Sequence, residues 1–324
     1  MADKAKLVTV FGGSGFVGRH VVQALAKRGA RVRAAERRPD LAGYLQPMGS
    51  VGQISAVQAN LRFPQSLQRA VEGADAVVNA VGILAPEGRQ TFDSIHVEGA
   101  RAIARAARKA GVSRLVHISA IGADKTASAH YARSKALGEA AVLAEFPAAV
   151  ILRPSIVFGP EDQFFNRFAA MTRISPFLPR IGGGHTRFQP VYVGDLAAAI
   201  ANVCDGAGLP ATVYEIGGPE VLKFRQLLDL TQSYVDRDRP YFPMPFWLAK
   251  LQAVMTWPLP NALRPITLDQ VRLLESDNVV SQAAQADGRT LGGLGVRQAT
   301  PISAVVPGYL ERFKSRGQYA HYRT

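Results

Sequence analysis

Leu7-Val8-Thr9-Val10-Phe11-Gly12-Gly13-Ser14-Gly15-Phe16-Val17-Gly18 carries an apolar run into a glycine turn, and the apolar spacing from Val17 to Leu25 then opens a helix. Strand, turn and helix in that order predict a dinucleotide cradle. Gly12 lets the chain reverse, Gly15 keeps side-chain atoms away from a pyrophosphate, and Gly18 lets helix and strand pack closely. The free N–H groups at the helix start would face the phosphates, so Gly12, Ser14, Gly15, Phe16, Val17 and Gly18 are the candidate contacts. The other reading of these glycines is a purely structural turn.

The second strand, Arg31 to Ala35, ends in Glu36-Arg37-Arg38-Pro39, where such a cradle reads the adenosine ribose. A carboxylate there accepts from both ribose hydroxyls and repels a 2'-phosphate, whereas an arginine pairs with that phosphate in charge-assisted bonds. Both signals are present. Arg37 and Arg38 together favour NADP(H), with a Glu36 that turns to solvent, and NAD(H) is the alternative; a solvated charge run is the structural reading.

At 324 residues the chain is long enough for one large or two modest domains, and 48% hydrophobic against 19% charged residues describes a globular protein rather than a disordered one. The single cysteine, Cys204, excludes an internal disulfide and fits a reducing compartment. No basic segment followed by an apolar one precedes the first strand, so export is not expected. The 38 basic and 25 acidic residues give a net charge of +13, which would attract an anionic membrane surface or an acidic assembly. No helix-turn-helix, zinc finger or RNA-binding aromatic motif is present, so nucleic acid is not an expected partner. His20, His96, His117, His130, His185 and His321 lack paired metal-ligand spacing, and no metal is expected.

Short apolar runs near Leu7 to Phe11, Arg31 to Ala35, Ser55 to Gln58, Ala76 to Val81, Leu115 to Ser119 and Ala149 to Arg153 read as strands. Between them Val17 to Lys27, Pro64 to Val71, His96 to Ala110 and Ala132 to Ala144 have helical spacing. That alternation predicts an α/β fold, a doubly wound parallel sheet. Tyr131-Ala132-Arg133-Ser134-Lys135 places a tyrosine and a lysine on one helical face. A phenol is a poor acid-base group at neutral pH until a nearby cation favours its anion, which gives the pair a chemical meaning.

The spacing G-x-x-G-x-x-G, followed by this Tyr-x-x-x-Lys, resembles the short-chain dehydrogenase/reductase superfamily. That resemblance implies a Rossmann-type sheet with a smaller, interleaved C-terminal α/β lid, spanning 1–158 plus 187–216 and 159–186 plus 217–324 respectively. It implies that Tyr131 is the acid-base group, that Lys135 binds the nicotinamide ribose and supports the tyrosine, and that an arginine at position 37 marks an NADP binder. It extends the cofactor contacts to Asn60 and Leu61 after the third strand, to Ala80, Val81 and Gly82 after the fourth, and to Ile118, Pro154, Ser155 and Ile156. Two family features are depleted. Ser119 ends its strand with Ala120 and Ile121 where an orienting hydroxyl more usually falls, so it is a doubtful catalytic residue, and His96 stands where the family commonly has Asn.

Within the superfamily the chain most resembles the NADPH-binding accessory subunits of respiratory complex I, through Tyr131 to Glu139 and above all Gly159-Pro160-Glu161-Asp162-Gln163-Phe164-Phe165-Asn166-Arg167-Phe168. The resemblance runs from Leu7 to about Gln318. It implies a peripheral subunit on the cytoplasmic side of the inner membrane, or the matrix side in mitochondria, beside complex I subunits near the membrane junction, with a nucleotide that is mainly structural. The alternative is an active NADP-dependent reductase, dehydrogenase or epimerase on a quinone or isoprenoid-quinone precursor. Met244 to Pro258 reads as a helix with Trp247, Leu248, Leu251, Val254 and Met255 on one face, either closing its own domain or resting on lipid or a membrane partner.

Overall fold

In the computed structural model, which describes residues 5–258, 264 and 266–314, seven strands form one parallel sheet. They are β1 (Leu7–Phe11), β2 (Arg31–Glu36), β3 (Ile54–Gln58), β4 (Ala76–Asn79), β5 (Arg114–Ile118), β6 (Val150–Pro154) and β7 (Val213–Ile216). Their order is β7-β6-β5-β4-β1-β2-β3. It reverses between β1 and β4, the point at which doubly wound sheets bind their ligands. The helices of this unit are α1 (Phe16–Lys27), α2 (Pro64–Val71), α3 (Ala100–Lys109), α4 (His130–Glu145) and α5 (Val193–Cys204).

Alternation explains the sheet. Val77, Leu115 and Ile151 point to one face and pack with Leu67, Ile103, Ala107 and Val142 in a single core. Asn79 and His117, which pair across β4 and β5, continue those columns on the same face, so the apolar layer becomes polar at the carboxyl ends of the strands. The strand expected to run to Val81 ends at Asn79, where the Asn79 Oδ1 accepts from the Val81 N–H and turns the chain away. The helix expected from His96 begins earlier, as a π-helical turn over Asp93–Gly99 that leads into α3.

The chain divides into two compact units: Met1–Pro154, Val193–Ile216 and Ser281–Gln298 form the first; Ser155–Tyr192, Gly217–Val280 and Ala299–Thr324 the second. Ser281–Gln298 thus joins the sheet unit, although the sequence reading puts all of 217–324 in the smaller domain. Long-range hydrogen bonds hold it there: Glu215 N–H to the Arg289 carbonyl, Ser281 N–H to the Glu215 carboxylate, and Asn202 Nδ2 to the Leu294 carbonyl. Sequence periodicity cannot register such bonds. The second unit has short strand pairs and a core built on Phe158, Phe165, Phe188, Phe224, Leu227 and Val306. Its Asp162 is buried and accepts from the Gly159 and Asn166 N–H groups and from the Tyr309 hydroxyl. This gives the aspartate of the Gly159 to Phe168 stretch a structural use. Gln318 and His321 lie outside the described residues.

Candidate functional site

The glycine turn closes on itself. Gly12 has a φ of +76°, and a Cβ on Gly18 would lie 1.9 Å from the Gly12 carbonyl oxygen, so neither position takes a side chain without opening the turn. Gly15 stands at the N-cap of α1 with no side chain capping the helix, which leaves first-turn N–H groups facing outward. Around the turn lie contacts that spacing could not show, among them those of Tyr44 and Arg19. Glu36 does not turn to solvent: its Oε1 accepts from the Ser14 N–H at 2.6 Å, and burial pushes its carboxyl above the usual range despite that bond and the nearby Arg37. The Ser14 carbonyl accepts from the Tyr44 hydroxyl at 2.5 Å and from Arg19 at 3.1 Å, with the Arg19 guanidinium 5.0 Å from the Tyr44 ring centre. Arg38 pairs with Asp40 at 2.9 Å, and Arg37 is exposed. A backbone turn at a helix start with outward first-turn N–H groups and neighbouring guanidinium groups suits the pyrophosphate of a dinucleotide.

Asn60 and Leu61 follow β3. The Asn60 Oδ1 accepts from the Arg62 N–H, while Leu61 packs against the core of the sheet unit. Ala80, Val81 and Gly82 form the turn after β4, and a Cβ on Gly82 would lie 3.5 Å from the Lys135 Nζ and 3.8 Å from the His96 Nε2. That proximity brings the β4 turn, the π-helical turn and α4 to one place. Lys135 is buried and its Nζ donates to the Ile118 carbonyl at 3.1 Å, 5.8 Å from the centre of the Tyr131 ring. Burial pushes Lys135 down to about 8, against a raising effect of Glu139. The Glu139 carboxylate takes two bonds from Arg153, at 2.8 and 2.6 Å, and ties α4 to β6.

Two histidines complete this cluster. His96 Nε2 accepts from the Ile83 N–H at 3.1 Å, its Nδ1 lies 2.8 Å from the Ser134 Oγ, and its ring stacks on Phe92 and meets Tyr131 edge-on. His117 Nδ1 lies 3.0 Å from the Asn79 Nδ2. Burial, reinforced by the Lys135 charge, lowers His96 to about 2 and His117 to about 3. Ser119 is buried, and its Oγ and the His117 Nε2 have no hydrogen-bond partner among the described residues. Its N–H donates to the Leu152 carbonyl. Ser155 and Ile156 follow Pro154 into the second unit, where the Ser155 Oγ lies 2.6 Å from the Asn278 Oδ1 and donates to one of the Asn278 oxygens.

Residues 8–217 match the model of the NAD dependent epimerase/dehydratase family. The chain belongs to that family. It is 34% identical to the mitochondrial NADH dehydrogenase [ubiquinone] 1 alpha subcomplex subunit 9 of Arabidopsis thaliana, over 86% of this chain and 72% of that protein. The resemblance to complex I accessory subunits is thereby borne out. A ceramide reductase of Caulobacter vibrioides is 33% identical over 62% of each chain. In fold, an NADPH-dependent quinone oxidoreductase of Escherichia coli, solved with NADPH, superposes with a TM-score of 0.73 over 94% of this chain and 99% of its own, at 20% identity. The Rossmann-type sheet and a nicotinamide dinucleotide as cofactor are accordingly supported.

Proposed function

We propose that this chain is an accessory subunit of respiratory complex I that holds NADP(H) as a largely structural nucleotide. The 34% identity to subunit 9 over most of the chain carries this reading. Two features of the site agree with it. With Glu36 drawn back onto the Ser14 N–H and Arg38 taken by Asp40, Arg37 is the guanidinium best placed to meet a 2'-phosphate. The Ser119 hydroxyl is buried, and Ala120 and Ile121 after it have no hydroxyl to orient a substrate. A resident ligand needs no such group, and at a thousandfold saturation it stabilises the fold by about 4 kcal/mol.

The same reading sets the chain beside complex I subunits near the junction with the membrane arm, on the cytoplasmic or matrix side. The helix Phe246–Met255 buries Ala249 and Ala253 and leaves Trp247 67% and Met255 73% exposed, with Leu251, Val254 and Trp257 exposed beside them. Among the described residues no helix is long and apolar enough to cross a membrane. An apolar face on a chain of net charge +13 suits contact with an anionic lipid surface or a membrane subunit. Native purification should therefore recover the chain with membrane subunits of complex I, and Trp247→Glu with Met255→Glu should release it to the soluble fraction. Recovery of the wild type only as a free soluble protein overturns the assignment.

Arg37→Glu should weaken NADPH binding about 30-fold, the loss of one charge-assisted phosphate contact worth about 2 kcal/mol, while NADH affinity changes little. Titration with both nucleotides checks this, and unchanged NADPH affinity removes Arg37 as the phosphate reader. The reductase reading keeps one observation in its favour, a Lys135 lowered to about 8 beside the Tyr131 ring. NADPH oxidation by a carbonyl or quinone acceptor, abolished in Tyr131→Phe, would move the assignment there.

A further inference from the structure

We propose that His96 is a positioning residue, its neutral imidazole protonated on Nδ1 and clamping the loop after β4 to the turn of α4 that carries Tyr131 and Lys135. The inference deepens the nucleotide-holding reading and rests on it for the ligand alone. Hydrogen-bond direction determines the tautomer. The Ile83 N–H has only a proton to offer, so the His96 Nε2 must accept it with a lone pair. Across the ring, the single Ser134 hydroxyl proton is committed to the Tyr131 carbonyl at 2.8 Å, so the Ser134 Oγ has only lone pairs for His96, and the Nδ1 must donate. A proton on Nε2 would set one N–H against another.

The ring therefore works as a rigid two-ended pin. One end holds the backbone beside Gly82, and the other holds Ser134, which lies between Tyr131 and Lys135 in the sequence. Its faces and edges are occupied too, by the stacked Phe92 ring at 5.4 Å and the Tyr131 ring at 5.5 Å. The residue comes from the π-helical turn Asp93–Gly99, and the extra residue of such a turn re-aims the side chains around it. Burial and the Lys135 charge keep the ring neutral, so Lys135 remains the cation of this cluster.

Nitrogen NMR of the full-length 15N-labelled protein at pH 7 tests the assignment directly. The expected spectrum has a proton-bearing His96 Nδ1 and a lone-pair Nε2, unchanged down to pH 5. A proton on Nε2, or on both nitrogens at pH 7, overturns the proposal. In parallel, His96→Leu should raise the Kd for NADPH about tenfold, as loss of a buried hydrogen-bond pair demands, and His96→Asn, whose amide both donates and accepts, should recover most of that loss. If His96→Leu binds NADPH as the wild type does, the clamp has no bearing on the nucleotide site and the proposal fails. A wild type that holds no NADPH defeats the nucleotide reading instead, and the nitrogen signals still decide the tautomer.

Discussion

Between pH 6.5 and 5 the folded chain should lose about 3 kcal/mol of stability through His96 and His117 alone. Both rings are 2% exposed, and burial with the nearby Lys135 charge brings them to about 2 and about 3 in the folded state. An unfolded histidine titrates near 6.5, so the stability is fully present above that pH and is lost as pH falls towards the folded values. As pH falls across this window the unfolded chain takes up a proton at each ring that the folded chain refuses, and each contributes a slope that grows towards a limit of about 1.4 kcal/mol per pH unit. Glu36 and Asp162, whose carboxyls burial raises, act in the opposite sense and offset part of the net slope. The difference between wild type and His117→Gln isolates the histidine term, because glutamine keeps an acceptor for Asn79 and does not titrate. Urea unfolding at pH 7, 6 and 5 should give the variant a slope shallower by about 1 kcal/mol per unit on average, and identical slopes would refute a neutral buried His117.

Glu139→Ala should cost about 3 to 5 kcal/mol, since it leaves the partly buried Arg153 guanidinium without its two-oxygen partner. The pair joins α4 to β6, so unfolding of the sheet unit should move to lower urea. Its second consequence is electrostatic. Glu139 is the charge that holds Lys135 up against burial, and without it the lysine falls below about 8 and loses charge near neutral pH. Replacing both partners, Glu139→Leu with Arg153→Met, should restore most of the stability because no unpaired charge then remains buried. It should leave Lys135 as depressed as in the single variant. If urea unfolding of the double variant matches that of Glu139→Ala, the cost came from lost packing instead of a stranded charge.

Much of the sheet was legible because burial on both faces of a parallel strand leaves a local mark. The strand Leu7–Phe11 and the helix Pro64–Val71 have the ends expected of them, and the glycine turn lies between its strand and helix. The overrun at Ala80 and Val81 has a local cause, since an apolar run looks like strand until Asn79 turns the backbone through its own side chain. Glu36 was legible as an acid at the end of β2, but its orientation depends on the Ser14 N–H, which only the closed turn presents. The histidines were harder. His96 meets Ser134 and Asn79 meets His117 across 38 residues in each case, a separation at which no spacing rule links them.

By itself, then, the sequence determined the alternation of strands and helices, the glycine turn and the Tyr131–Lys135 pair, because each rests on neighbours within a turn or two of the chain. Tertiary structure decided which charges are real at the site: Glu36 folded back, Lys135 lowered, His96 and His117 held neutral. Protonation and hydrogen-bond direction depend on what surrounds a side chain in space, and here those surroundings come from β2, β4, β5, α4 and the turn before α3, which meet only when the sheet has formed.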